Sequence, residues 1–283
     1  MAKNEDNPRK TWRIRSFSQR GSRLGHKYDE LVALNQDLFL RMAPGASESL
    51  VAPRAEFSLA QAFGREASLI VEVGSGSGEQ AVSYAEKHPD VDVICVEAWA
   101  PGAARCISRI VHSGVTNVRV LQADAAQALP VLFGLANAGV NDPDEALALG
   151  PAINPEHHNS ANPRAQEVWT FFPDPWRKAR HHKRRLVAPP FATTVSGILA
   201  DGGVWRLATD WDNYAWQMRN VVETTPWLEN PYVGERPDVN DEEPERGGFA
   251  PRWEERTLTR FEQRGIEAGR TVHDIQGVRK PRV

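Results

Sequence analysis

From residue 68 onward, short apolar runs alternate with amphipathic stretches. Leu69, Ile70, Val71 and Val73 form a run that ends in glycines, the pattern of a buried parallel strand. A helical stretch over 78–87 follows, then a second such strand over 91–96, a helix over 102–112 and a third strand at Val118, Val120 and Leu121. Residues 125–133 read as another helix and 168–172 as a fourth strand. Phe191, Val195, Ile198 and Leu199 recur at helical spacing with Pro190 near the start, and 203–208 form a fifth strand. Tyr214, Met218, Val221 and Val222 repeat the helical stripe, and residues 255–261 are expected as a last strand. These stripes are core positions. Strands alternating with helices at this spacing predict βαβ units, hence an α/β fold around a parallel sheet.

Four segments break the rhythm. Residues 1–27 carry Lys3, Arg9, Lys10, Arg13, Arg15, Arg20, Arg23 and Lys27 against only Glu5 and Asp6. Such an arm is commonly a solvated tail, or a nucleic-acid contact that orders on binding. Residues 28–63 mix helical stretches with Pro44, Gly45 and Pro53, so 1–63 reads as a basic arm and helical preamble to a main domain over 64–283. Residues 134–166 are rich in Ala, Asn, Pro, Gly and His without a period, and are too long for an ordinary connection; they are expected to be a mobile insertion. His157-His158 lies inside it with no matching ligand cluster, so no metal is expected. Residues 235–246 are acidic and read as a surface loop.

Composition narrows the class without naming a partner. The 283 residues carry 34 Lys+Arg and 37 Asp+Glu, a formal net charge of -3, so any nucleic-acid partner must be argued from where the charges sit. The two cysteines, Cys95 and Cys106, lie in apolar segments outside any CxxC pair, which argues against a disulfide framework and a thiolate zinc site. No window approaches the roughly 18 apolar residues of a membrane span. The polar N-terminus does not resemble a signal peptide. A cytoplasmic protein with no membrane partner is expected, its oligomeric state open between monomer and homodimer.

Candidate chemistry begins at Val71-Glu72-Val73-Gly74-Ser75-Gly76-Ser77-Gly78, which leaves a strand and enters a helix. Glycines there let the backbone approach a ligand at an electropositive helix start. The spacing is G-x-G-x-G rather than the dinucleotide G-x-G-x-x-G, and no basic residue in the loop can neutralise phosphates. Glu97 ends the second strand, about 20 residues on, where an acid can accept from ribose hydroxyls. Asp124 ends the third strand and can accept from an adenine amine. Glu72 can face an ammonium. Singly, each is an ordinary strand-end acid. Together with the glycine loop they suit a nucleoside with a cationic tail, S-adenosylmethionine.

The most specific segment is Phe171-Phe172-Pro173-Asp174-Pro175-Trp176-Arg177-Lys178-Ala179-Arg180-His181-His182-Lys183-Arg184-Arg185. Two prolines stiffen the turn that carries Asp174. Trp176 offers a face for a base, and six Lys/Arg follow within 177–185. A basic run is usually a solvated face; one joined to a rigid Asp and a Trp at the ligand edge of a sheet points to nucleic acid.

This segment resembles the signature of the bacterial tRNA (guanine-N7-)-methyltransferases. Arg15-Ser16-Phe17 with Arg20 to Arg23, EVGSGSGE at 72–79, VEAWAPG at 96–102, LATDW at 207–211 and TRFEQRG at 259–265 resemble the family's other motifs, in order. The resemblance implies a Rossmann-like class I S-adenosylmethionine-dependent methyltransferase domain and transfer of a methyl group to N7 of guanine in tRNA, at the variable-loop position 46. It implies cofactor binding by Glu72, Gly74, Gly76, Gly78, Glu97, Asp124 and Asp174, with Asp174 catalytic. It implies substrate binding by Lys178, Asp210, Thr259, Arg260, Phe261 and Glu262, and tRNA contact by Arg180, His181, His182, Lys183, Arg184 and Arg185. Two features depart from the pattern: Ser75 stands where relatives often carry an aromatic, and the 134–166 stretch is longer than the usual connection.

Guanine N7 carries a lone pair and no proton, so no general base is required and catalysis rests on placement. Guanine N1–H and N2–H₂ can both be read by one carboxylate, Asp174 or Asp210. A NAD-dependent oxidoreductase or a small-molecule methyltransferase would share the first half and leave the basic run without a role. A noncatalytic RNA-binding protein would need no cofactor carboxylates.

Overall fold

The computed structural model describes residues 16–17, 25–45, 47, 49–52, 55–135, 153–156, 158, 160–234 and 247–283. Most of the basic arm, His157 and the acidic stretch 235–246 lie outside the described residues.

Among the described residues, seven strands form one sheet: β1 (Ser68–Val73), β2 (Val91–Val96), β3 (Val118–Leu121), β4 (Ala165–Phe171), β5 (Leu199–Thr209), β6 (Leu228–Glu229) and β7 (His273–Arg279). Their order is β3-β2-β1-β4-β5-β7-β6, and only β7 runs against its neighbours. The helices are α1 (His26–Leu34), α2 (Leu59–Phe63), α3 (Glu79–Lys87), α4 (Ala100–Ser113), α5 (Ala125–Leu132), α6 (Pro189–Ile198), α7 (Asp212–Thr224) and α8 (Arg260–Glu267).

The strand pattern explains the two layers. Side chains alternate between faces along a strand. Leu69, Val71 and Val73 therefore join one core with Leu129 of α5, Phe191 of α6 and Met218 of α7. Ile70, Val93 and Cys95 face the other core with Val82 of α3 and Ile107 of α4. Helices on both faces make the sheet doubly wound, and burial on both faces is why β1 and β2 read as continuous apolar runs. No helix among the described residues is long and apolar enough to cross a membrane.

Two expectations change. Residues 255–261 are not a strand: 255–258 are irregular and Arg260 opens α8, whose apolar positions do not alternate with period two. The last strand is instead β7, which sequence patterning missed because His273, Asp274, Gln276 and Arg279 break its apolar run. The expected insertion at 134–166 changes only at its edges, while residues 136–152, 157 and 159 lie outside the described residues. Leu135 is fully buried, Asn162 anchors Leu59 N–H through Oδ1 at 2.8 Å, and β4 starts at Ala165.

Candidate active site

The strand order reverses between β1 and β4: β2 and β3 extend one way, β5, β7 and β6 the other. Ligands of open α/β sheets bind at the carboxyl ends of such a strand pair. The segments leaving these two strands are the glycine loop and the turn around Asp174.

The loop path needs glycine. Gly74, Gly76 and Gly78 have φ of +75°, +54° and +69°, which L side chains avoid. The Gly76 N–H donates to Glu97 Oε2 at 2.8 Å and the Trp99 N–H to Oε1 at 2.7 Å. Glu97 is thereby fixed against the loop. A carboxylate has about four acceptor sites, so capacity remains for hydroxyl donors. Gly102 in the first turn of α4 backs directly onto it; a Cβ there would lie 3.0 Å from Glu97 Cγ.

Glu72 is buried and accepts from the Ala81 N–H at 3.1 Å. Burial pushes its pKa up to about 8; the Ala81 bond opposes the shift and the charges of Glu97 and Glu79 add to it. Glu97 is also raised, chiefly by burial and in part by the charge of Asp174, while bonds from Trp99 and Gly76 act against it. Buried acids with no basic residue in 72–79 fit a cation and hydroxyls rather than a pyrophosphate. Asp124 is buried as the N-cap of α5 and accepts from the Ala126 N–H at 3.1 Å. S-adenosylmethionine fits this set: an ammonium for Glu72 and ribose hydroxyls for Glu97.

Across the switch point, Phe172 and Trp176 bracket Pro173-Asp174-Pro175. They have φ of +50° and +45°, the only positive values at non-glycine residues among the described residues. Such backbone costs on the order of 1–3 kcal/mol per residue and gathers at functional sites. Asp174 is exposed. The Trp176 Nε1–H donates to the Ser16 carbonyl at 2.9 Å, so part of the N-terminal arm reaches this turn. The Arg184 guanidinium lies 4.7 Å over the Trp176 ring, covering a face expected for a base.

The basic run divides. Lys178, Arg180, Lys183 and Arg184 are exposed, and His181 and His182 half-buried, around a short 3₁₀ helix over Ala179–Arg184. Arg185 is different: it is 4% exposed and donates to Pro175 O at 2.9 Å, Asn213 Oδ1 at 2.9 Å and Gln217 Oε1 at 2.8 Å. The expectation that it contacts tRNA is corrected. It locks the turn to α7.

Asp210 follows β5, and its Oδ2 accepts from Arg270 Nε at 2.7 Å. Gly265 of α8 packs on it so closely that a Cβ would lie 2.9 Å from Oδ2. Thr259 caps α8 by accepting from the Glu262 N–H at 3.3 Å. The Arg260 N–H donates to Glu79 Oε2 at 3.3 Å, which brings the start of α8 to the glycine loop. Phe261 is 71% exposed beside it. Glu262 is 1% exposed, and its carboxylate binds Arg256 at 2.9 Å and Arg252 at 3.1 Å. It holds α8 in place from inside rather than presenting an oxygen to substrate.

Sequence reasoning missed Gln80, Arg252, Arg256, Arg270 and Asp274. Gln80 clamps two main-chain groups of the segment before α8, giving Nε2–H to Glu255 O at 3.1 Å and accepting from the Thr257 N–H at 2.6 Å. No spacing could expose these residues, since their side chains also bond partners as far as 177 positions away.

The family model Methyltransf_4, described as "Putative methyltransferase", matches residues 66–137 and 152–275, more than half of the chain, and leaves 138–151 unmatched. A tRNA (guanine-N(7)-)-methyltransferase of Nocardioides sp. (strain ATCC BAA-499 / JS614) is 43% identical over 219 residues, covering 77% of this chain and 71% of that protein. The protein of that name from Cutibacterium acnes (strain DSM 16379 / KPA171202) is 38% identical over 261 residues, covering 92% and 81%. Another from Paenarthrobacter aurescens (strain TC1) is 34% identical over 296 residues, covering 92% and 89%. With its glycine loop, buried acids and proline-flanked Asp174 at one switch point, the chain belongs to the tRNA (guanine-N(7)-)-methyltransferase family.

Proposed function

We propose that this protein transfers a methyl group from S-adenosylmethionine to N7 of a guanine in tRNA, with guanine 46 of the variable loop as the acceptor. A tRNA substrate would place it in the cytoplasm. The observation that carries the reading is one crevice flanked by two unlike edges. On the β1 side stand the glycine loop, the buried Glu72 and the half-buried Glu97. On the β4 side stands the strained Asp174 turn, continued by the exposed cations Lys178, Arg180, Lys183 and Arg184.

S-adenosylmethionine, when bound, would supply an electrophilic methyl group for the N7 lone pair, with its sulfur as the leaving group. The protein's task is placement and charge. Glu72 would hold the ammonium and Glu97 the ribose, with Gly74, Gly76 and Gly78 letting the backbone close on the nucleoside and Asp124 closing its far end. Asp174 is assigned to the reacting edge and Asp210 beside α8 to the guanine, where a carboxylate accepting from N1–H and N2–H₂ selects guanine and favours the positive charge that develops on the ring. Thr259 and Arg260 set the start of α8, and exposed Phe261 offers a stacking face for an opened base. Lys178, Arg180, Lys183 and Arg184 would take phosphates.

The test mixes the protein with methyl-labelled S-adenosylmethionine and a tRNA transcript carrying guanine at position 46, with an adenine-46 transcript as control. Label in 7-methylguanosine from the first transcript alone is expected. D174N and D210N should each slow single-turnover transfer by about 10- to 100-fold, the weight of a charged hydrogen bond. Wild-type rates in both variants would remove these assignments.

A further inference from the structure

Arg256 lies at the junction of three elements that sequence reading kept apart. It is 3% exposed as a whole, with a side chain only 1% exposed. One guanidinium nitrogen binds Asp274 of β7, and another binds Glu262 of α8 at 2.9 Å. Its Cζ lies 5.7 Å from the ring centroids of both Phe171 and Phe172.

The last contact is unusual in its geometry. Successive residues of a strand point to opposite faces, so Phe171 and Phe172 should not meet one cation. They do because Phe172 leaves the strand path with φ of +50°. The departure point is fixed by the sheet: Phe171 pairs with Ala208, Ala208 pairs with Asp274, and the Phe172 N–H donates to Ala208 O at 2.8 Å. Arg256 thus grips the residue that follows β4 from a carboxylate two strands away. A cation over an aromatic face within about 6 Å is attractive, more so when dry. Here it acts on a strained residue that comes two positions before Asp174.

We propose that Arg256 is a positioning residue for methyl transfer: it holds Phe172 in its left-handed backbone conformation, and thereby aims the Pro173-Asp174-Pro175 turn, while coupling that turn to α8 through Glu262. This rests on the methyltransferase reading above. Arg256 touches no reacting atom. A buried cation that only neutralised Asp274 and Glu262 would have no need of two rings, and its loss would cost the same whatever residue stands at 172.

That contrast supplies the test. R256K keeps the charge but loses both the planar face and the fork that reaches Asp274 and Glu262 through separate nitrogens, so a second background is needed to isolate the ring contact. With wild type methylating in the same assay, R256K should show a kcat lower by about 100-fold at saturating tRNA and S-adenosylmethionine, the cost of misplacing a reacting group by about 1 Å. Its cofactor Kd should stay within about threefold of wild type, because the glycine loop is untouched. The second background is F172G, since glycine adopts positive φ without strain. There the penalty of R256K on kcat should shrink to under about tenfold. An undiminished penalty in F172G, or wild-type kcat in R256K, overturns the proposal. F172L, which keeps apolar bulk but removes the ring, is measured in parallel and decides the matter if R256K does not fold: kcat about tenfold lower with unchanged cofactor Kd is expected, and an unchanged kcat overturns it. If wild type itself transfers no methyl group, it is the functional reading that fails.

Discussion

Arg270 Nε donates to Asp210 Oδ2 at 2.7 Å, joining the carboxylate after β5 to the segment that follows α8. The Arg270 N–H also donates to Gly265 O at 3.0 Å, so one residue closes the C-terminal end of α8 against Asp210. Both side chains are partly exposed, and a pair of that kind contributes only about 0–1 kcal/mol to stability. Its weight lies in orientation. R270Q should melt within about 3 °C of wild type yet lose about tenfold in kcat/KM for tRNA. A steady-state comparison with wild type checks this; unchanged kcat/KM would show that Asp210 needs no orienting partner.

Glu72 links cofactor binding to protons. Its folded pKa is about 8 against an ordinary 4.5, so between those values the folded protein holds a proton that the unfolded chain has released. Stability of the ligand-free protein therefore falls as pH rises from 4.5 to 8, with a slope of at most about 1.4 kcal/mol per pH unit from this group. Asp274, raised to about 6 by burial against the pull of Arg256, adds to the fall below pH 6. Denaturant melts at pH 6 and pH 8 should show the loss in wild type and much less of it in E72Q. At pH 7, S-adenosylmethionine binding should release a proton, seen as a buffer-dependent heat in calorimetry. A buffer-independent heat would mean that Glu72 is already ionised and does not meet the ammonium as a newly formed anion.

Gly102 tests the cradle around Glu97. Alanine suits a helix better than glycine by about 1 kcal/mol, so G102A should not unfold α4. Its Cβ would nevertheless stand 3.0 Å from Glu97 Cγ and 3.2 Å from Gly76 O. The carboxylate must shift, and cofactor Kd should rise by about tenfold or more while Tm is kept. Tight binding in G102A would show that Glu97 is free to move without loss.

The two kinds of arginine after Asp174 should separate experimentally. R185A removes donors to Pro175, Asn213 and Gln217 from a buried site and should cost about 2–4 kcal/mol of stability. R180A, K183A and R184A are on the surface and should leave Tm nearly unchanged. Each should instead weaken tRNA binding and lower the slope of log K against log salt by roughly 0.7–0.9 for every phosphate it no longer neutralises. Equal salt slopes in all four variants would contradict the division.

Much of the fold was legible because it is written in local periods. The run at Leu69–Val73 and the stripe Tyr214, Met218, Val221, Val222 each carry their own element. β7 was not legible: it pairs antiparallel with β5, and polar residues such as Asp274 and Arg279 are buried in it by partners far along the chain. The same rule divides the site. Glu72 and Glu97 were readable because strand ends and glycine spacing place them. Arg185 was misread because composition records a charge and not what surrounds it.

By itself, the sequence determined the βαβ framework, the glycine loop and the acids and cations available at strand ends, since backbone propensity and spacing act over a few residues. Only the tertiary structure decided which of those charges face outward. It turned Arg185 and Glu262 inward, joined Arg270 to Asp210, and brought Arg256 onto Phe172. The reason is physical: a buried ion must find its counter-charge or acceptor wherever packing brings one, and that distance is measured in space rather than along the chain.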